Sequence, residues 1–309
     1  MKQATLIYNP VAGRNPLRRE RQMQQARVVL GESGIAVKMA RTGGPGAATE
    51  LAREAAASSS DLVIACGGDG TIYEVINGLA HASVPLGILP GGTANIIAKE
   101  LGLPHDPVQA ARKLPGWLPQ RIALGHVTGQ PVLPSKSAEI VDRYFLSVAG
   151  VGFDAYVIHH LGLQFKMSLG VAAYVIEGIR QVLRYGFHPI VCQTDRKEFE
   201  ATFAIVQRAS RYAGWFRTAP NQSITNQIFG LSLFKSRSRF RYFLYGAAVL
   251  ARQRLRDTDL IEVRQVAFRP AQPSARIFFE LDGEVAGTLP ATFTVAPGAL
   301  TLLMPPRRD

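Results

Sequence analysis

Cysteine is nearly absent from this chain: among 309 residues only Cys66 and Cys192 occur. Two thiols make neither a disulfide framework nor a zinc cluster, which fits a reducing cytosol. Acidic residues are also short, 23 against 35 lysines and arginines, for a net charge of +12. That balance suits an anionic partner such as a nucleotide, an acidic lipid surface or nucleic acid, although solubility charge alone produces it too. No apolar run is long enough for a bilayer, since residues 242–251 give only about half a span. The first strand pattern begins almost at once, with no signal-peptide pattern. The expectation is therefore a cytoplasmic protein that touches the inner membrane face without crossing it. No Gly-x-x-x-x-Gly-Lys-Ser/Thr is present, which excludes a Walker-type loop. The six histidines are scattered; even His159-His160 lacks the neighbours that a metal or nucleophilic site needs. There is no internal repeat. The aromatic residues follow no nucleic-acid-binding module, so no nucleic acid is expected.

What is present is a core-forming composition, 47% hydrophobic and 19% charged, at a length that favours two domains. Strand patterns at 4–8, 35–40, 61–65 and 86–89 alternate with helix patterns at about 16–30, 46–58, 71–79 and 94–101. Such alternation implies a parallel sheet covered by helices, with ligands at the carboxyl ends of the strands. After the proline-rich stretch 103–119 the pattern changes to short β runs at 121–127, 144–149, 190–194, 202–207, 261–266, 275–281 and 292–295. Helices near 169–183 and 237–255 interrupt them, and 130–137 resembles a loop insertion. The expected architecture is an α/β domain over 1–120 and a mainly antiparallel β domain over 121–297, with the cleft between them as the active-site candidate.

The chemistry concentrates in Gly67-Gly68-Asp69-Gly70-Thr71, where an apolar strand runs into a helix. Thr71-x-x-Glu74 has capping-box spacing. Backbone amides at a helix start carry the positive end of the dipole, and glycines let an anion approach closely. Asp69 cannot bind phosphate without a cation between them, so its role is to hold Mg2+ or to act as a base. A second turn, Gly91-Gly92-Thr93-Ala94-Asn95, opens the next helix of the same sheet. Either turn alone reads as a tight connection with Thr71 or Thr93 as N-cap. Together, with Asp69 inside one, they suit a single polyphosphate. Glu74 is explained by its capping box alone, and Asn77 by a helix end beside Gly78. Gly150 to Ala155 matches Gly-x-Gly-x-x-Ala but lies outside any βαβ unit, so no dinucleotide is expected there. Asp282-Gly283-Glu284 reads equally as a hairpin corner and as a carboxylate pair that takes a proton from an attacking alcohol. Lys235, Arg237, Arg239, Arg241, Arg252, Arg254 and Arg256 accompany Phe240, Phe243, Leu244, Ala247, Ala248, Ala251 and Leu255 at helical spacing with no acid among them. The segment reads either as a helix lying on anionic lipid or as a solvated face over an ordinary core stripe.

With these residues in view, the chain resembles the diacylglycerol kinase catalytic-domain family, which includes bacterial lipid kinases and sphingosine kinases. The matching motifs run in order along nearly the whole chain. They are Asn9-Pro10-x-x-Gly13, Thr42 before Gly46-Ala47, Gly67 to Thr71 with Glu74 and Asn77-Gly78, and Gly92-Thr93-Ala94-Asn95. They continue through Gly150 to Ala155, Lys166, Gly170, Tyr174, a partial Tyr212-Ala213-Gly214, and Asp282-Gly283-Glu284. The resemblance implies an NAD kinase-like nucleotide-binding domain and a C-terminal β-sandwich that carries the lipid-substrate surface. It implies ATP as phosphoryl donor, Mg2+, and a membrane lipid hydroxyl as acceptor, for instance in diacylglycerol or a sphingoid base. Asn9, Pro10, Val11, Ala12, Gly13, Thr42, Gly67, Gly68, Asp69, Gly70, Thr71, Glu74, Gly92, Thr93 and Asn95 would surround the nucleotide. Asp69 would hold the metal, and Glu284 with Asp282 would take the proton. Residues 298–309 would return to the first domain, and a homodimer is allowed.

The chain departs from many members at three places. Ile96 and Ala123 stand where they carry acids, and Thr225-Asn226-Gln227 stands for an Asp-Asp-Gly associated with a structural Mg2+. Ile and Ala cannot replace a carboxylate electrostatically, so that structural metal is not expected and Asp69 carries the metal chemistry with the phosphates. Two other functions stay open: a catalytically weak nucleotide- or lipid-binding homologue, and a soluble-substrate kinase of the NAD kinase type.

Overall fold

A computed structural model describes residues 1–13, 15–133, 140–161, 171–212, 216–217, 219, 221–251 and 258–306. Lys166, Gly170, Ala213, Gly214, Arg252, Arg254, Leu255 and Arg256, and the second half of the expected insertion, lie outside them. The chain divides into two compact units, Met1–Leu124 with Pro297–Asp309, and Gly125–Ala296.

In the first unit β1 (Gln3–Tyr8), α1 (Pro16–Glu32), β2 (Ala36–Arg41), α2 (Ala47–Ala57), β3 (Leu62–Gly67), α3 (Asp69–Leu79) and β4 (Leu86–Pro90) alternate as the periodicity predicts. The strands lie in the order β2-β1-β3-β4, all parallel. Every position of β3 is buried. This is why its sequence is a continuous apolar run rather than an alternating one. The winding direction reverses between β1 and β3, so the loops leaving these two strands flank the switch point at which open α/β sheets bind ligands. Two helices follow, α4 (Ile96–Glu100) and α5 (Pro107–Lys113). The second lies inside the proline-rich stretch: Asp106 caps it by accepting from the amides of Val108 and Gln109, with Pro107 at its first position.

The second unit begins within β5 (Leu118–Gln130) and continues through β6 (Val141–Phe145), β7 (Val148–Gly152), α6 (Phe153–His160), α7 (Val171–Val182), β8 (Ile190–Thr194), β9 (Glu198–Ala201) and β10 (Phe203–Gln207). A small ribbon of β11 (Arg211–Tyr212) and β12 (Phe216–Arg217) precedes β13 (Phe229–Phe234), α8 (Arg239–Leu250), β14 (Thr258–Val263), β15 (Gln265–Pro270), β16 (Phe278–Leu281) and β17 (Glu284–Met304). One antiparallel layer runs β14-β13-β10-β7-β16-β17. Farther along, β17 pairs with β15, which continues to β8 and β9. Phe293 of β17 joins the layers, with ring contacts to Phe145, Phe268 and Phe279 at centroid distances of 6.2, 5.6 and 5.7 Å. The result is the expected β-sandwich.

Three β runs differ from the sequence pattern. The single run at 144–149 is two strands with Leu146 and Ser147 between them, and that at 261–266 divides at Arg264. The short run at 292–295 is part of the 21-residue β17. Its last residues lie in the first unit, where Leu302 pairs with Leu86 and the His81 amide donates to the Ala299 carbonyl.

Candidate functional site

The two glycine turns of the first unit meet backbone to backbone. The Gly91 amide donates to the Gly67 carbonyl at 2.9 Å. A Cβ on Gly92 would stand 2.5 Å from the Gly68 Cα, and one on Gly91 would stand 2.8 Å from the Gly67 nitrogen. Only glycine permits this approach, so these residues bring the loops after β3 and β4 to one place.

The helix start differs from the expected capping box. Gly68 is the N-cap of α3 with no side-chain cap, and the first helical residue is Asp69. The first-turn amides are thus left to a ligand or solvent. Glu74 does not reach back to its own helix. Its two oxygens accept from the amides of Gly46 and Ala48 at 2.9 and 3.0 Å, at the start of α2. Thr49 Oγ1 also donates to the Glu74 carbonyl. A carboxylate at the positive end of a neighbouring helix is favourable, and it fastens α2 to α3.

Asp69 Oδ1 accepts from the amides of Ile96 and Ile97 at 2.7 and 3.4 Å. Its other oxygen carries no hydrogen bond among the described residues. Burial raises its pKa, opposed by the Ile97 and Ile96 amides and by the charge of Lys99. A neighbouring cation would favour the ionised form. The second turn is corrected accordingly. α4 starts at Ile96 rather than 94, Thr93 is exposed and does not cap it, and its leading amides donate to the Asp69 carboxyl group. Asn95, at φ 48°, accepts from the Gly92 amide and donates to the Gly92 carbonyl. The acid absent at position 96 leaves this anchor intact because the contact is through the backbone.

The loop after β1 joins the same region. The Asn9 amide donates to the Cys66 carbonyl, and the Asn9 side chain accepts from the Val11 amide at 3.0 Å. Gly13 turns with φ +83°. Pro10 and Thr42 are buried, and the Thr42 amide donates to the Tyr8 carbonyl.

Beneath these loops lies Arg19, which the sequence pattern does not single out. It is 8% exposed and donates to the carbonyls of Ala12 and Gly91, with a further contact to Cys66 Sγ. One guanidinium thereby ties the loops after β1 and β4 to each other and to the end of β3. The only hint in the sequence is an arginine on the apolar side of α1. Burial pushes the Cys66 thiol up to about 12, so it stays neutral beside this cation.

In the second unit Asp282 and Gly283 form the two-residue corner between β16 and β17, with φ +49° and +90°. Positive φ at both positions marks the hairpin turn that Asp-Gly favours. Asp282 is buried and its carboxylate is committed to the scaffold. Oδ1 accepts from the amides of Ser147 and Val148, and Oδ2 from Leu146, at 2.7 to 3.0 Å. These donors close the break between β6 and β7. Glu284, two residues on, is exposed.

Two groups beside this turn carry no signal in the sequence. Glu280 Oε2 accepts from the Gly283 amide at 2.7 Å, and burial followed by the nearby Asp154 carboxylate holds its pKa well above the ordinary range. A Cβ on Gly150 would lie 2.5 Å from Asp154 Oδ2 and 2.9 Å from Glu280 Oε1, so glycine makes room for the acid pair. Arg208 is fully buried and donates to the carbonyls of Ile224 and Asn226 at 2.6 and 3.1 Å. Burial pulls its pKa down to about 10, opposed by the charge of Asp282. A guanidinium therefore occupies the inward carbonyls of the loop at Thr225-Asn226-Gln227.

Among the described residues no three His, Cys, Asp or Glu come together as a metal cage. Asp69, with one anchored oxygen and one without a partner, fits Mg2+, which ordinarily takes one or two carboxylates and completes its shell with substrate phosphates and water.

Comparison with known proteins accounts for both units. Residues 3–127 match the diacylglycerol kinase catalytic domain, and residues 147–304 match the YegS C-terminal NAD kinase beta sandwich-like domain. A diacylglycerol kinase of Bacillus subtilis is 29% identical, over 99% of this chain and 97% of its own. One from Mycobacterium tuberculosis is 25% identical, over 97% and 94%. The crystal structure of a diacylglycerol kinase from Bacillus anthracis aligns with a TM-score of 0.76 over 99% of this chain and 97% of that one, at 21% identity, a likeness of fold. The converging glycine turns, the anchored Asp69 and the sandwich agree with these matches along the whole chain: it belongs to the diacylglycerol kinase catalytic-domain family, and its chemistry is that of a kinase.

Proposed function

We propose that this kinase uses ATP and Mg2+ to phosphorylate a hydroxyl of a membrane lipid, diacylglycerol or a sphingoid base. The observation that carries the proposal is Asp69: one oxygen is fixed by backbone amides and the other accepts no hydrogen bond among the described residues, beside uncapped amides at the start of α3. Those amides and the Thr71 hydroxyl hold phosphate oxygens, and the glycine contacts keep side chains out of their way. Arg19 fixes the loops from below, so the cradle is formed before the nucleotide arrives. Asp69 would hold Mg2+ together with phosphate oxygens and water, and the ion would supply charge neutralisation on the transferring group. Glu284 takes the proton of the attacking hydroxyl. Asp282 holds the turn that presents Glu284, because its own oxygens are already satisfied by three amides.

The test is ATP turnover with Mg2+ on a panel of dispersed lipids and, separately, on NAD. Lipid-dependent turnover supports the proposal. Turnover on NAD alone would establish the soluble-substrate kinase instead. Nucleotide binding without turnover on any acceptor would establish the catalytically weak homologue.

A further inference from the structure

Helices α7 and α8 pack against each other and cover one aromatic core that includes Val182, Tyr185, Tyr242 and Tyr245. Away from that core each helix presents large apolar side chains. Ile176, Ile179 and Leu183 are 50%, 51% and 60% exposed, and Phe240, Phe243 and Leu244 are 70%, 36% and 43% exposed. At about 100° per residue, each set falls within one narrow strip of its helix, opposite the buried positions. The apolar positions of α8 are therefore not a core stripe, since its inward side belongs to Tyr242 and Tyr245.

Among the described residues, the exposed charged groups on these two helices are of one sign. Arg180 and Arg184 lie along one side of the α7 strip, and Arg239 lies along one side of the α8 strip; all three are exposed, while Arg241, on the other side of the α8 strip, has a partner of its own. The one acid on either helix, Glu177, is buried, accepts a hydrogen bond from Gln181, and lies 3.8 Å from Arg180. Lys235 and Arg237, which precede α8, are matched by Asp259 and Glu200. Their charge belongs to the sheet rather than to this face.

We propose that the outward face of α7 and α8 is the surface by which the protein docks on an anionic membrane. The apolar strips enter the interface between headgroups and acyl chains, while the arginines meet acidic headgroups. A second copy of this chain is the poorer occupant, because a two-fold interface through this face would set arginines against arginines. Nucleic acid would leave the aliphatic Ile176, Ile179, Leu183 and Leu244 uncovered. The proposal rests on the lipid-kinase reading for its purpose and deepens it by naming where the bilayer is met. Its geometry is independent of that reading.

The experiment is co-sedimentation of the full chain with phosphatidylcholine vesicles, with and without phosphatidylglycerol, at low and high salt. Binding should require phosphatidylglycerol and weaken with salt. Arg239→Gln should lower affinity about fivefold, and the pair Phe240→Ser and Leu244→Ser at least about tenfold. Melting temperature and nucleotide affinity should remain at wild-type values in these variants. Wild-type binding by the double variant overturns the proposal, as does binding indifferent to phosphatidylglycerol. A dimer in sedimentation velocity that the double variant dissolves would assign the face to a second copy. Turnover on detergent-dispersed diacylglycerol, run in parallel, reports separately on the kinase reading.

Discussion

Asp69 and Asp282 stand in similar sequence, each in a glycine turn at the end of a strand, and they are held in opposite ways. In the first unit Asp69 gives one oxygen to the amides of Ile96 and Ile97, and among the described residues the other accepts no hydrogen bond. In the second unit Asp282 gives both oxygens to three amides and lies near the buried Arg208. An anchored carboxylate with a spare oxygen can meet a cation or a reacting group. A saturated one is structure. The difference is therefore the number of backbone donors aimed at each carboxylate, and it divides chemistry from scaffold between residues that a motif search treats alike.

The comparison can be broken at several points. The largest effect on stability is expected at Asp282→Asn, which places an amide NH2 among three N–H donors and leaves Arg208 without its counter-charge. Denaturant unfolding should show a loss of about 3–5 kcal/mol. Turnover per folded molecule should fall far less than in an Asp69 variant. An unchanged unfolding midpoint would mean that Asp282 is not the scaffold residue.

Arg19→Leu should cost about 2–3 kcal/mol by leaving the carbonyls of Ala12 and Gly91 without their donor. It should also weaken nucleotide binding, measured by calorimetry, because the loops lose their common tie. Loss of stability with unchanged nucleotide affinity would confine Arg19 to folding.

Glu280 gives the third test through pH. Its carboxyl ordinarily titrates near 4.5, and burial with Asp154 beside it raises that value in the folded chain. Above about pH 4.5 the unfolded chain releases a proton that the folded chain keeps. Stability should then fall as pH rises, by up to ~1.4 kcal/mol per pH unit until the folded-state value is reached. Glu280→Gln should flatten this dependence, read as melting temperature against pH. A slope as steep as that of the wild type would place the buried proton elsewhere.

The first unit was far more legible in the sequence than the second. Its strands β1, β3 and β4 are buried almost throughout, so each is an apolar run that leads into asparagine or glycine, and the alternation with helices leaves few topologies. In the second unit the breaks at Leu146-Ser147 and Arg264 carry no turn signal, because one is closed by a carboxylate far away in sequence. The motif at 67–71 marks Asp69 as a charge needing a role. Which oxygen is anchored, and by what, depends on amides 27 and 28 residues away and has no local signature. Glu74 shows how spacing misleads: the Thr-x-x-Glu pattern is present, and the carboxylate serves another helix. Arg19, Arg208 and the Asp154–Glu280 pair were invisible because burial of a charged residue is decided by tertiary packing. The outward apolar strip of α8 was seen as a periodicity, but only the position of Tyr242 and Tyr245 says which side faces the core.

The most direct measurement is steady-state ATP-dependent phosphorylation of dispersed diacylglycerol by Asp69→Asn, alongside its thermal melt. The substitution keeps the side-chain oxygen that receives the Ile96 amide and removes the charge. Turnover is expected to fall by about a thousandfold with an unchanged melting temperature. A folded Asp69→Asn protein with wild-type turnover would contradict the assignment of the phosphoryl-transfer site to this turn.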